Sequence, residues 1–280
     1  MIKIIGYTAF ALVAFAFNSI LCRMALRGGE ADAAGFTAVR LASGAVALIV
    51  ISYFFSKGKG ANSKRGNWIS AFFLFAYAIC FSFAYVGLTA ATGALILFSS
   101  VQFTMIAVAL YRGDRPSSLE WFGLLSALGG LLYLVFPGLS SPPLFASLLM
   151  AAAGMAWGFY TLRGKGSSDP LGDTTGNFIR AVPMIAVASI PYLQSINLST
   201  PGIVLAILSG AVASGVGYTI WYAVLKHHTA TRSAILQLSV PVIAAFGGVV
   251  VLSESMSSRL LMASALILGG IAMTIFGRKS

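Results

Sequence analysis

The chain is a succession of apolar runs, each about 18 to 24 residues long and separated by short polar connections. A helix needs about 20 residues to cross the ~30 Å hydrocarbon layer of a bilayer, so run length alone points to membrane spans. Ten runs can be read, near 4–23, 33–55, 68–87, 92–111, 119–136, 144–163, 174–195, 202–225, 231–252 and 259–277. Lipid offers no water to unpaired backbone groups, and only helices and closed barrels satisfy them all internally. The runs lack the alternation of a barrel strand, so the expected class is an all-α integral membrane protein with ten transmembrane helices. Composition agrees: 58% of the 280 residues are hydrophobic and 9% are charged, against roughly 25% charged in a soluble domain. Ile4 to Cys22 has the apolarity of a signal peptide, but the run is long and no small-x-small cleavage signal follows, so it is read as the first span.

Basic residues in short loops set orientation. With ten spans, one face collects Lys3, Lys57, Lys59, Lys64, Arg65, Arg112, Arg115, Arg163, Lys165, Lys226, Arg232, Arg278 and Lys279, thirteen of the eighteen basic residues. The other face has Arg23, Arg27 and Arg259. Cytoplasmic loops are the Lys/Arg-rich ones, so both termini are expected in the cytoplasm. The net charge of +11 then forms a rim facing anionic lipid and needs no nucleic-acid partner. Cys22 and Cys80 fall inside the first and third spans, which leaves no disulfide framework and no CxxC metal pattern. No cofactor or metal is expected.

Shifting the sequence by half its length sets Leu97–Asp114 against Gln237–Glu254 without a gap. Ser99 then meets Ser239, Asp114 meets Glu254, and Leu128-Gly129-Gly130 meets Leu268-Gly269-Gly270. Earlier helices add Arg23 with Arg163 and Arg40 with Arg180. Two copies of a five-helix unit are expected, 1–138 and 139–280. Five crossings are an odd number, so the second copy must lie upside down relative to the first. Inverted repeats around a midplane site are the architecture of alternating access.

AVRLASG at 38–44, FIRAVP at 178–183, the stretch YTIWYAVLKHHTATRSAILQLSVPVIAAFGG at 218–248, LSE at 252–254 and LILGGI at 266–271 resemble the drug/metabolite transporter superfamily, EamA-type. Aromatic residues in helices 3, 6 and 8 are similar to those of bacterial inner-membrane amino-acid exporters of the YddG kind. The resemblance implies an inner-membrane carrier exporting amino acids, aromatic and other neutral ones among them, or similar small metabolites. Export of other metabolites or drugs, and a non-transporting membrane scaffold subunit, are the alternatives. One departure stands out: Pro241 has Val101 as its partner in the first half.

Pro241 lacks an N–H and its ring pushes against the Gln237 carbonyl, which is thereby freed inside the bilayer. Gln237, Ser239 and a solute or water would pair with it if this face lines a cavity; the plainer reading is a kinked helix bonded only to its neighbours. Gly247 and Gly248 would act as a hinge or admit a neighbouring helix. Asn18, Tyr77, Ser99, Gln102, Trp157, Tyr218 and Trp221 also lie near mid-depth. Tyr and Trp normally gather at the interfaces, so at mid-depth they face protein or a cavity. With Gln237 and Ser239 they form the candidate solute-binding set. Arg40 and Arg180 are the charges inside the spans, about two turns from a helix start. They are read either as structural groups snorkelling to the headgroups or as gate or substrate-carboxylate contacts, one near each face.

All seven acids fall in loops or at helix ends, so no mid-depth carboxylate is available as a proton relay, and solute is expected to run down its own gradient or couple weakly. His227-His228 reads as a solvated cytoplasmic turn. No HExxH or other nucleophile–base arrangement is present, which argues against an enzyme. The expected partners are a small-molecule solute and membrane lipid; the oligomeric state is left open.

Overall fold

The computed structural model describes residues 2–55, 66–111, 113, 117–136, 141–165, 167–225, 227, 236–237 and 239–276. Among them run ten helices: α1 (Ile2–Arg27), α2 (Ala33–Phe55), α3 (Trp68–Tyr85), α4 (Ala90–Tyr111), α5 (Ser118–Val135), α6 (Leu144–Gly164), α7 (Pro170–Ala188), α8 (Thr200–Leu225), α9 (Ser239–Leu252) and α10 (Ser258–Phe276). The described residues contain no strand, and their one isolated bridge pairs Ala31 with Leu198. Lys57, Lys59, Lys64, Arg65, Arg112, Asp114, Arg115, Lys226, His228, Arg232, Arg278 and Lys279 lie outside the described residues.

Seven helices, α1 to α6 and α8, are long and apolar enough to cross a bilayer, and α9 and α10 are shorter apolar helices over their described lengths. The protein is therefore a multi-span membrane protein. The seventh helix departs most from the reading by hydropathy, which placed it at 174–195. It begins at Pro170, where Asp169 accepts a hydrogen bond from the Gly172 N–H and Pro170 fills the first turn. It ends at Ala188, followed by a 3-10 turn at Ile190–Tyr192. Cap chemistry fixes this start. An apolar window misses it because Asp173, Asn177 and Arg180 make the first half polar.

Large apolar side chains such as Tyr53, Phe122, Leu125 and Val250 point outward, whereas the interior is rich in Ala, Gly and Ser. Lipid tails are as apolar as Leu, so helices associate through close packing of small residues. A Cβ on Gly210 would lie 2.0 Å from the Arg40 carbonyl oxygen, so α2 and α8 meet backbone to backbone. α1 runs through the middle, against α3, α4, α8 and α9, while α5 and α10 pack on each other at the edge. There a Cβ on Gly123 would sit 2.4 Å from the Gly270 oxygen, whereas Gly129 faces open space. Gly270→Leu should therefore destabilise the purified protein by about 1–3 kcal/mol through forced separation of α5 and α10. Gly129→Ala should leave thermal unfolding within error or slightly raise it; equal melting of both variants would refute this packing.

Candidate functional site

The centre of the bundle is a small chamber of about 10 Å³, room for roughly one water molecule. Its wall comes from five helices: Phe15 and Asn18 on α1, Tyr77 and Phe81 on α3, Leu97 and Phe98 on α4, Trp157 on α6, and Tyr218 on α8. The rings pack on one another. Trp157 lies 4.5 Å from Tyr218 and 4.9 Å from Tyr77 between centroids. Phe15 meets Trp157, Tyr218 and Trp221 edge-on at 5.6 to 6.1 Å. Such contacts contribute about 0.5–1.5 kcal/mol each beyond burial, which keeps this chamber closed in the observed state.

Behind the aromatic wall sits Arg40. It does not reach a headgroup: the side chain turns inward and is 1% exposed, about 10 Å from the helix start at 1.5 Å per residue. Its Nη2 donates to the hydroxyls of Tyr77 and Tyr218, each at 3.1 Å, and to Ser214 Oγ at 3.2 Å. Nε also donates to Ser214 at 3.2 Å, and the Tyr218 hydroxyl donates to that of Tyr77 at 3.2 Å. The guanidinium carbon lies 4.9 Å from the Phe81 ring centroid and 5.3 Å from that of Tyr77. Ser214 continues the chain by donating to Asn18 Oδ1 at 3.3 Å, and Ser209 donates to the same oxygen at 2.7 Å. Two donors at either end of this network, Arg40 Nη1 and Asn18 Nδ2, are buried without a protein partner.

Serines 209 and 214 are presented by a π-helical stretch, Leu208–Val216, within α8. Widening of the helix frees local backbone geometry and is common at functional sites. Gly210, Ser214 and Gly217 put small residues at helical spacing on one side of α8 in the sequence, although nothing there reveals the π form. Phe15, Phe81, Leu97 and Phe98 carry no mark in the sequence, because an apolar side chain at mid-depth is the ordinary content of a span.

The structure gathers Asn18, Tyr77, Trp157 and Tyr218 around the chamber, with Trp221 behind Phe15. Ser99 and Gln102 are buried on α4 but do not line it, and the Ser99 hydroxyl donates to the Leu95 carbonyl at 2.6 Å. Gln237 is buried and Ser239 donates to Leu236 O at 2.7 Å; neither lines the chamber. Pro241 is buried in the first turn of α9 as described, two residues from its start. A Cβ on Gly247 would meet Ile20 at 2.2 Å and one on Gly248 would meet Ala90 at 3.3 Å, so both let α9 approach α1 and α4. Arg180 is half-buried, donates to the Gly176 carbonyl at 2.8 Å and lies over the Trp68 ring at 5.8 Å. The two arginines, equivalent by the half-length offset, thus occupy different environments.

Both ends of the bundle are tied. At the end where α1 finishes, Arg23 pairs with Glu254 at 3.2 Å and donates to the carbonyls of Tyr85 and Val86. Glu254 in turn accepts from the Ala90 N–H at 2.8 Å. The loop after α1 is bonded to the loop before α8: Asp32 and Asn197 exchange hydrogen bonds at 2.8 and 2.9 Å, and the Ser199 hydroxyl donates to Glu30. At the opposite end, Asp173 and Asn177 accept from the Gly66 and Asn67 N–H groups at 3.0 Å, and Arg163 donates to Ser70 and Asn67. A cavity of about 40 Å³ lies among these residues, bounded by Tyr160 and Tyr222. Tyr160 stands 5.4 Å from Trp157, so a continuous aromatic column separates this cavity from the central chamber.

Known proteins share this chain's pattern. A model of the EamA-like transporter family matches residues 144–276. An uncharacterized protein of Pseudomonas aeruginosa is 47% identical over 97% of this chain and 94% of its own length. A probable amino-acid metabolite efflux pump of Escherichia coli is 26% identical over 72% of this chain and 73% of its own. A crystal structure only 20% identical covers 96% of this chain and 98% of its own with a TM-score of 0.69, a likeness of fold.

The Arg23–Glu254 pair can be tested as a seal. Cys22, fully buried beside it, reports opening of that end. In a Cys80→Ser background, Glu254→Gln should raise the rate of Cys22 modification by a maleimide roughly fivefold or more, since local opening governs access to buried groups. An unchanged rate would remove the pair from the closure.

Proposed function

Because the chain belongs to the EamA-like transporter family of the drug/metabolite transporter superfamily, we propose that it exports amino acids or similar small amphipathic metabolites across a bacterial inner membrane by alternating access. The observation that carries this reading is the closed aromatic and polar chamber, to which helices from both halves of the chain contribute. Residues 1–138 and 139–280 act as two inverted five-helix repeats that rock about it, with both termini in the cytoplasm. Asn18, Tyr77, Trp157, Tyr218 and Trp221 meet the solute. Ser99, Gln102, Gln237 and Ser239 come to the pathway as helices α4 and α9 shift, and Pro241, Gly247 and Gly248 absorb the bending of α9. Arg180 acts at the rim of the end bearing Trp68.

The chamber suits an amphipathic solute. Rings take up an apolar side chain by exchanging ring–ring contacts for ring–solute contacts of the same kind, while hydroxyls and the Asn18 amide take polar groups. The tied ends and the minimal central volume support an occluded state, from which either end is released in turn. Among the described residues no acid lies at mid-depth to carry a proton. The six described acids cap helices or bond at the ends, so solute runs down its own gradient or couples weakly.

Counterflow in proteoliposomes tests the reading. Wild-type protein should exchange at least one labelled amino acid, and Trp157→Ala, Asn18→Ala and Gln237→Ala, at equal reconstituted amounts, should each slow exchange by about tenfold, equivalent to ~1.4 kcal/mol. Unchanged exchange in all three variants would dismiss the chamber as the transport site. Single cysteines placed at Gly29 and Lys165 should label from opposite faces of intact cells; labelling from one face would refute the inverted arrangement.

A further inference from the structure

We infer that the central site recognises its solute by a carboxylate and ignores an accompanying ammonium group, with Arg40 and Asn18 as the anion anchor. The inference rests on the transport reading above and narrows it to a class of solute. A charge on the bundle interior must be compensated, since an Arg there costs at least ~2.5 kcal/mol even by the mildest measure. Arg40 is compensated only in part. Its partners are hydroxyls and ring faces, all neutral: Tyr77, Tyr218, Ser214 and Phe81. None of the six described acids is bonded to it. Arg40 Nη1 and Asn18 Nδ2, joined through Ser214, both lack an acceptor. Each of these residues is 1% exposed.

The imbalance has one sign. Both orphan groups are donors, so what would satisfy them is acceptor-rich, and what would offset the guanidinium is anionic. A carboxylate has two acceptor oxygens and a single negative charge, which matches a guanidinium edge and an amide N–H. An ammonium group has no such anchor: among the described residues no carboxylate bonds to this network, and the ring faces of Tyr77 and Phe81 are already turned to Arg40. Hence a hydroxy acid with an aromatic side chain should serve as well as the matching amino acid. An amine or amide should not. An inorganic anion shares the same chemistry, and the experiment separates the two sources.

Purified wild-type protein is titrated with phenylalanine, phenyllactate, phenylalaninamide and phenethylamine in a Tris–HEPES buffer free of chloride and of small carboxylates, then with chloride alone, following intrinsic tryptophan fluorescence and thermal stability. Counterflow with labelled phenylalanine is competed by the same compounds. Phenylalanine and phenyllactate should bind within about threefold of each other, with the amide and amine at least about tenfold weaker. Arg40→Gln should erase this preference and Arg40→Lys should retain part of it; if Arg40→Gln does not fold, the wild-type panel decides. An amide or amine that binds as well as the acids, or a phenyllactate tenfold weaker than phenylalanine, overturns the inference while transport stands. Full stabilisation by chloride with nothing added by the acids also overturns it, assigning the donors to an inorganic anion. Binding of the acids without any counterflow upholds the anchor and rejects the transport reading.

Discussion

A guanidinium enclosed within a lipid-spanning bundle is the constraint around which the centre is arranged. Arg40 cannot lose its proton and does not reach a headgroup, so the protein must surround it with polar groups that themselves need a place. Tyr77 and Tyr218 supply hydroxyls, and their rings form the chamber wall. Ser214 supplies an oxygen and passes the network to Asn18. The same side chains that solvate the charge thus shape the cavity, which ties compensation of Arg40 to the geometry of the chamber.

Close helix contact makes that enclosure attainable. Gly210 brings α8 onto the α2 backbone at Arg40 itself, and the π-helical stretch turns Ser209 and Ser214 toward Asn18. A wider spacing would admit lipid or leave the guanidinium without Ser214. Farther out, the Arg23–Glu254 pair and the Asp32–Asn197 loop bonds hold one end, and Asp173, Asn177 and Arg163 hold the other. These bonds are polar, lie at the ends and can exchange with water, unlike contacts in the hydrocarbon layer.

Much of the architecture was legible because lipid imposes a strong rule on run length. The runs at 33–55 and 68–87 correspond to α2 and α3 within two residues at each boundary. The seventh helix was misplaced because its start is set by Asp169 and Pro170, a capping signal that an apolar window does not weigh. Within the site, Asn18, Tyr77, Trp157 and Tyr218 were recognisable as polar or amphipathic groups at a depth where such groups need a reason. Phe15 and Phe81 were not, since a Phe facing lipid and a Phe facing a chamber are the same letter. Ser99, buried on α4, looked equally eligible yet bonds its own helix at Leu95.

The sequence by itself determined that this chain is helical and membrane-spanning, because hydropathy, run length and the need to satisfy every backbone group in lipid act along the chain. It also determined that a charge sits inside the spans. Only the tertiary structure decided which way that charge points. A side chain two turns into a helix reaches a headgroup or a neighbour with similar ease, and the choice depends on Tyr77, Ser214 and Tyr218 arriving from α3 and α8, separated from Arg40 by 37, 174 and 178 residues.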